Sequence, residues 1–245
     1  MQEQDTPGTP PARPHHRFTP EGRRVREVVS YSRRGSRFTP RQAAAWEAHH
    51  EAWLLADEDV ADPGWSWDAA FGREAPLVVE IGAGVGEATA ALAATRPDAN
   101  VLALEVWRPG LAETMGRVAE AGLENVRLCA IDAVWLLEHR FAPASLAELW
   151  TFFPDPWHKA RHHKRRLVTP GFAHVVADRL APGAAWRLAT DWADYAEQMV
   201  EVLDAEPGLD GGIVERWAER PLTKFERKGL AKGREIVDLT YRRSS

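Results

Sequence analysis

The sequence predicts an α/β fold: a mostly parallel, seven-stranded sheet with helices on both faces and an antiparallel strand at one edge near the C-terminus. Three observations carry this. From residue 77 onward, short apolar runs alternate with helical patterns, a spacing that implies crossover helices and hence parallel strands. A glycine-rich turn at residues 82–86 joins the first run to the first helix. The last two runs, 212–217 and 235–241, leave no room for a crossover helix between them, so they are expected to pair antiparallel.

In chain order, residues 1–41 hold Pro7, Pro10, Pro11, Pro14, Pro20 and Pro40 and almost no periodic apolar pattern, which reads as a disordered or loosely held basic arm. Residues 42–245 are expected to form a single domain. It opens with a helix over 42–55 that places Ala45, Trp46, His49 and Trp53 on one face. Leu77-Val78-Val79-Glu80-Ile81 reads as a buried strand, and the Ala-rich stretch 87–94 as a helix. Strands follow at 100–105, 125–130, 146–153 and 184–190. Helices are expected over 109–121, 170–180 and 192–204.

A chain of 245 residues suffices for one large core. Its one cysteine, Cys129, permits no internal disulfide and suits a reducing cytosol. No stretch reaches the ~18 apolar residues of a membrane helix, and the N-terminus lacks an apolar signal core, so a cytoplasmic protein without membrane attachment is expected. A net charge of -5 argues by itself against a nucleic-acid binder, but basic residues crowd near the N-terminus and around 159–166. Arginine outnumbers lysine; its planar fork suits phosphates and bases, although a GC-rich genome produces the same excess.

The motif Glu80-Ile81-Gly82-Ala83-Gly84-Val85-Gly86 follows a strand and opens a helix, the context of a nucleotide-binding turn. A dinucleotide fingerprint would put its third glycine at 87, where Glu87 would repel a pyrophosphate. The spacing instead resembles the loop of class I methyltransferases. Glu80, Glu105, Asp132, Asp155 and Asp191 all fall at carboxyl ends of expected strands, where open α/β sheets bind ligands. Glu105 there can accept both hydrogen bonds of a ribose diol. Asp132 could equally cap a helix over 133–138. An acidic lining suits a cation and disfavours a phosphate-bearing cofactor.

Phe152-Phe153-Pro154-Asp155-Pro156-Trp157-His158-Lys159 follows, its two prolines stiffening a turn around Asp155. Trp157 is placed either to stack on a base or to fill core. Next come Arg161, His162, His163, Lys164, Arg165 and Arg166. Such a run usually marks a solvated face, but directly after this turn phosphate contact is the better reading. His158 and His162 lie four apart, yet five neighbouring cations would repel a metal ion, so no metal site is expected.

These blocks resemble the signature of the tRNA (guanine-N7-)-methyltransferase family. The resemblance continues through Thr190-Asp191-Trp192, Tyr195-Ala196-Glu197 and Arg220-Pro221-Leu222-Thr223-Lys224-Phe225-Glu226, and spans residues 77–243. The stretch Arg33-Arg34-Gly35-Ser36-Arg37-Phe38-Thr39, with Gln42, is similar to the family's segment ahead of the domain, its glycine displaced by one position. The resemblance implies a Rossmann-like class I methyltransferase fold and methyl transfer from S-adenosyl-L-methionine to N7 of the guanine at position 46 of the tRNA variable loop. It makes Asp155 the catalytic residue. Glu80, Gly82, Gly84, Gly86, Glu105, Asp132 and Asp155 would hold the cofactor, and Lys159, Asp191, Thr223, Lys224, Phe225 and Glu226 the substrate nucleotide. Arg161, His162, His163, Lys164, Arg165 and Arg166 would contact RNA, with no obligatory protein partner. A class I methyltransferase with another substrate, a non-catalytic RNA-binding protein on the same fold and a dinucleotide-dependent reductase are the rival readings.

Overall fold

The structure, a computed structural model, describes residues 17–18, 24–25, 29–31, 35–62 and 64–244. Most of the arm expected over 1–41, including Arg33 and Arg34, lies outside the described residues. Within it, Arg17–Phe18 pairs antiparallel with Arg24–Val25.

The first helix, α1 (Pro40–Trp53), starts where a Thr39/Gln42 capping box and a proline in the first turn favour it. Its expected apolar face is the one that packs: Trp46 and Trp53 lie against Ala83, Leu111 and Met115. Two short helices, α2 (Asp57–Ala61) and α3 (Trp67–Phe71), follow without having been expected. Five residues each is too little for a period to register.

The sheet strands are β1 (Leu77–Ile81), β2 (Asn100–Leu104), β3 (Val126–Cys129), β4 (Leu146–Phe152), β5 (Leu180–Thr190), β6 (Leu209–Val214) and β7 (Val237–Arg243). They lie in the order β3-β2-β1-β4-β5-β7-β6. β1 to β5 are mutually parallel, and β7 runs antiparallel to both β5 and β6. Every residue of β1 and β2 is buried, as parallel strands covered on both faces must be. The crossover helices are α4 (Glu87–Ala94), α5 (Arg108–Glu120), α6 (Ala133–Arg140), α7 (Pro170–Arg179) and α8 (Ala193–Asp204).

Three details differ from expectation. The antiparallel strand β7 lies one place in from the edge, between β5 and β6. A seven-residue helix, α9 (Lys224–Leu230), fits between β6 and β7, because an antiparallel pair needs no crossover and leaves its connection free to reach elsewhere. The basic run after β4 folds as a 3₁₀ helix, Ala160–Arg165. The strand order reverses at β1, with β2 on one side and β4 on the other, which opens a crevice at the strands' carboxyl ends.

Candidate active site

The glycine loop after β1 is shaped by close approach. Gly86 has φ +73°, and a Cβ there would come within 2.6 Å of the Thr114 side chain on α5. Gly110 of α5 approaches closer still: a Cβ on it would lie 2.2 Å from the carbonyl oxygen of Gly84. The loop backbone is then tied down. The amides of Gly82 and Ala83 donate to Leu104 O, and Arg117 Nε donates to Val85 O (2.8 Å). Glu105 accepts from the Gly84 amide and the Trp107 amide, each at 2.8 Å. The carboxylate expected to meet a ribose therefore also braces the loop.

Glu80, next to last in β1, has 3% of its surface exposed and accepts from the Thr89 hydroxyl. Burial, reinforced by the charge of Glu105, pushes its pKa up to about 7 against the opposing pull of the Thr89 bond. Asp132 is the cap of α6 and also a wall residue. It caps α6 by accepting from the Trp135 amide (3.1 Å), and it lines the cavity below.

The second wall is the turn after β4. Phe153 (φ +53°) and Trp157 (φ +46°) bracket Pro154-Asp155-Pro156 in left-handed conformations that bulky side chains rarely adopt. Such strain persists only where surroundings over-determine it. Here the Phe153 amide donates to Ala189 O (2.7 Å), and Arg166 Nε donates to Pro156 O (2.9 Å). Trp157 Nε1 donates to Ser30 O (2.9 Å), and the Arg165 guanidinium lies 4.5 Å from the Trp157 ring.

Between the walls lies a cavity open to solvent. Glu80, Glu87, Glu105, Asp132 and Asp155 line it, with Gly82, Gly84, Phe152, Phe153, Thr223 and Phe225; among the described residues no lysine, arginine or histidine does. The structure thus brings together four of the five strand-end acids. Asp191 is the exception. It pairs with Arg234 (2.7 Å), which itself lies over the Trp192 ring, so its carboxylate is already engaged outside this lining. Gly86 lies just behind the wall as the first residue of α4's cap.

Two expected contacts are corrected. Arg166 does not face RNA: it is 3% exposed, pairs with Asp194 (2.8 Å), donates to Gln198 (2.8 Å) and lies over the Tyr195 ring. Glu226 does not face a nucleotide: it is 1% exposed and clamped between Arg216 (2.8 Å) and Arg220 (2.6 Å). In both cases a charge taken out of water needs an opposite charge beside it, and the sequence does not show which partner is near. Arg220 also pairs with Asp238 of β7 (2.7 Å) and lies 5.3 Å from the Phe153 ring. Lys159, Arg161 and Lys164 are exposed, His162 and His163 half-buried, and Lys224 exposed beside the cavity-lining Thr223 and Phe225.

Sequence reasoning missed Gly110, Arg117, Arg220, and Ser30 and Tyr31, which line the cavity. An isolated glycine inside a helix was the one available signal, because in an exposed helix it only costs stability. Among the described residues no group of three or more His, Cys, Asp or Glu side chains is arranged to hold a metal ion, and no helix is long and apolar enough to cross a membrane.

Comparison with known proteins agrees with this architecture. A family described as "Putative methyltransferase" matches residues 74–239. A tRNA (guanine-N(7)-)-methyltransferase of Nocardioides sp. is 68% identical, over 99% of this chain and 98% of its own length. One of Cutibacterium acnes is 49% identical, over 91% and 86%. Among solved structures, the 16S rRNA methyltransferase KamB superposes with a TM-score of 0.51 at 18% identity, covering 90% of this chain and 100% of its own, a likeness of fold alone. Matched over nearly its whole length by such relatives, the chain belongs to the tRNA (guanine-N7-)-methyltransferase family.

Proposed function

We propose that this chain transfers the methyl group of S-adenosylmethionine to N7 of a guanine in the variable loop of tRNA. The observation that carries the reading is the cavity: Glu80, Glu105, Asp132 and Asp155 gather at the strand-order reversal with, among the described residues, no lysine, arginine or histidine in the lining, the fifth acid, Glu87, being paired with Arg227. That donor set fits a cationic sulfonium and its ammonium group and would repel a pyrophosphate. The substrate identity rests on the relatives' shared activity. A single buried cysteine, Cys129, accords with a reducing cytoplasm.

Bound in this cavity, S-adenosylmethionine supplies an electrophilic methyl group on a positively charged sulfur. Guanine N7 carries an in-plane lone pair and no proton, so the chain need not provide a base to take one. Its residues have to align the reactants, a contribution that reaches ~7–11 kcal/mol in well-oriented systems. Glu105 and the Gly84 amide fix one wall, and Asp132 and Glu80 complete its acidic lining. Asp155, held on a turn whose two ends are conformationally strained, orients the guanine edge and stabilises the positive charge that develops on the ring. Thr223 and Phe225 form the facing wall and exclude water. Arg161 and Lys164, exposed next to the turn, meet phosphates.

The test is methyl transfer from labelled cofactor to tRNA lacking 7-methylguanosine, read by nucleoside mass spectrometry. Wild type is expected to form 7-methylguanosine. Asp155→Ala is expected to lose on the order of 10²–10³-fold in kcat. Cofactor binding without product would refute the substrate assignment.

A further inference from the structure

α9 carries its charges in two sets. The arginines of this region are used internally: Arg227 pairs with Glu87 at the start of α4 (2.9 Å), and Arg234 with Asp191 after β5. The lysines are not. Lys224, Lys228 and Lys232 are all exposed, and none makes an ion pair or side-chain hydrogen bond among the described residues. Their spacing is i, i+4, i+8, which stacks them along one side of α9 and the turn that follows it. Like charges so spaced disfavour a helix of seven residues, so the stripe does not exist to stabilise α9.

The stripe is also aimed. Phe225 lines the cavity while 39% exposed, which turns its side of α9 toward the cavity mouth. At 3.6 residues per turn, Lys228 projects within about 60° of Phe225. The buried Glu226 lies on the side of α9 opposite Lys224 and Lys228. Two exposed ammonium groups on α9, and a third on the turn that follows it, thus lie beside an acidic cavity, on a chain whose net charge is -5. The cavity repels phosphates; the stripe beside it attracts them.

We propose that Lys228 and Lys232 extend outward from Lys224, which the family resemblance already sets at the substrate nucleotide, as a phosphate-binding track that holds the tRNA backbone, a second RNA contact besides the run at 159–165. It rests on the tRNA reading above. Ammonium groups on flexible stems suit this role, since backbone phosphates are met as point charges without base recognition.

The experiment measures tRNA affinity as a function of salt for wild type, the double variant Lys228→Ala/Lys232→Ala and the double variant Lys228→Arg/Lys232→Arg. It runs beside 7-methylguanosine formation by wild type and cofactor affinity by calorimetry. The alanine pair is expected to bind tRNA roughly tenfold more weakly, with the slope of log K against log salt reduced by about 1.4–1.8. The arginine pair should retain the slope, and all three proteins should bind S-adenosylmethionine alike. An alanine pair that binds tRNA like a wild type that does methylate it overturns the track alone. A wild type that neither binds nor methylates tRNA overturns the functional reading and the track together.

Discussion

The two walls of the cavity are built by different physics. The β1–β2 wall is backbone against backbone: Gly110 lies under Gly84, Gly86 against Thr114, and carboxylates and carbonyls accept from loop amides. The β4–β7 wall is charge against charge and charge against ring: Arg166 with Asp194 and Tyr195, and Arg220 with Glu226, Asp238 and Phe153. The first kind of construction fits a ligand whose shape never varies. The second matches charges between elements, with Arg220 tying β7 to both the Asp155 turn and α9. The difference teaches that one wall is set by how closely backbone can approach backbone, and the other by which buried charges find partners.

Arg220→Ala attacks this contrast hardest. It leaves Glu226 and Asp238 buried without their shared cation, which is expected to cost about 3–5 kcal/mol in urea unfolding. In the protein that remains folded, KM for tRNA should rise while cofactor affinity stays near wild type. An equal loss of cofactor affinity would show that the walls are not separable.

Glu80 sharpens the comparison, being the one buried, unpaired acid in the backbone-built wall. Its pKa is raised from 4.5 to about 7 by burial first and Glu105 second. Between those values the native state holds a proton the unfolded chain has released. This group therefore lowers stability as pH rises from about 4.5 to 7, and the loss is complete above 7. Glu80→Gln should remove that slope, a difference of up to about 3 kcal/mol at pH 8 in the cofactor-free protein. Parallel stability–pH curves for the two proteins would refute the assignment.

Gly110→Ala tests the backbone wall with a single methyl group. Placed 2.2 Å from Gly84 O, it forces α5 and the loop apart, at about 1–3 kcal/mol of stability. Calorimetry should show weakened cofactor binding, while tRNA affinity changes little. The reverse pattern would place the loop's function elsewhere.

Legibility in the sequence follows the same division. The strand Leu77–Ile81 and the helix Glu87–Ala94 fall at the residues expected, because apolar runs and glycine turns are local signals. The acids Glu80, Glu105, Asp132 and Asp155 were found because strand ends converge in any parallel sheet. Arg166 and Glu226 were misread because a cation in a basic run, or an acid in a motif, looks the same buried or exposed. The left-handed Phe153 and Trp157 leave no trace in composition, since neither residue favours that conformation.

By itself the sequence determined the α/β alternation, the glycine turn, the acidic strand ends and the family, all set by residues near one another or by the sheet's repeating geometry. Only the tertiary structure decided which charges are neutralised inside and which are left for a ligand. It buries Arg166 and Arg220 against carboxylates, pairs the more exposed Arg227 and Arg234 with Glu87 and Asp191, and leaves Lys224, Lys228 and Lys232 in water. The reason is that desolvating the charges of Arg166 and Arg220 demands opposite partners within a few ångströms, and only folding sets Asp194, Glu226 and Asp238, each on another element, beside them.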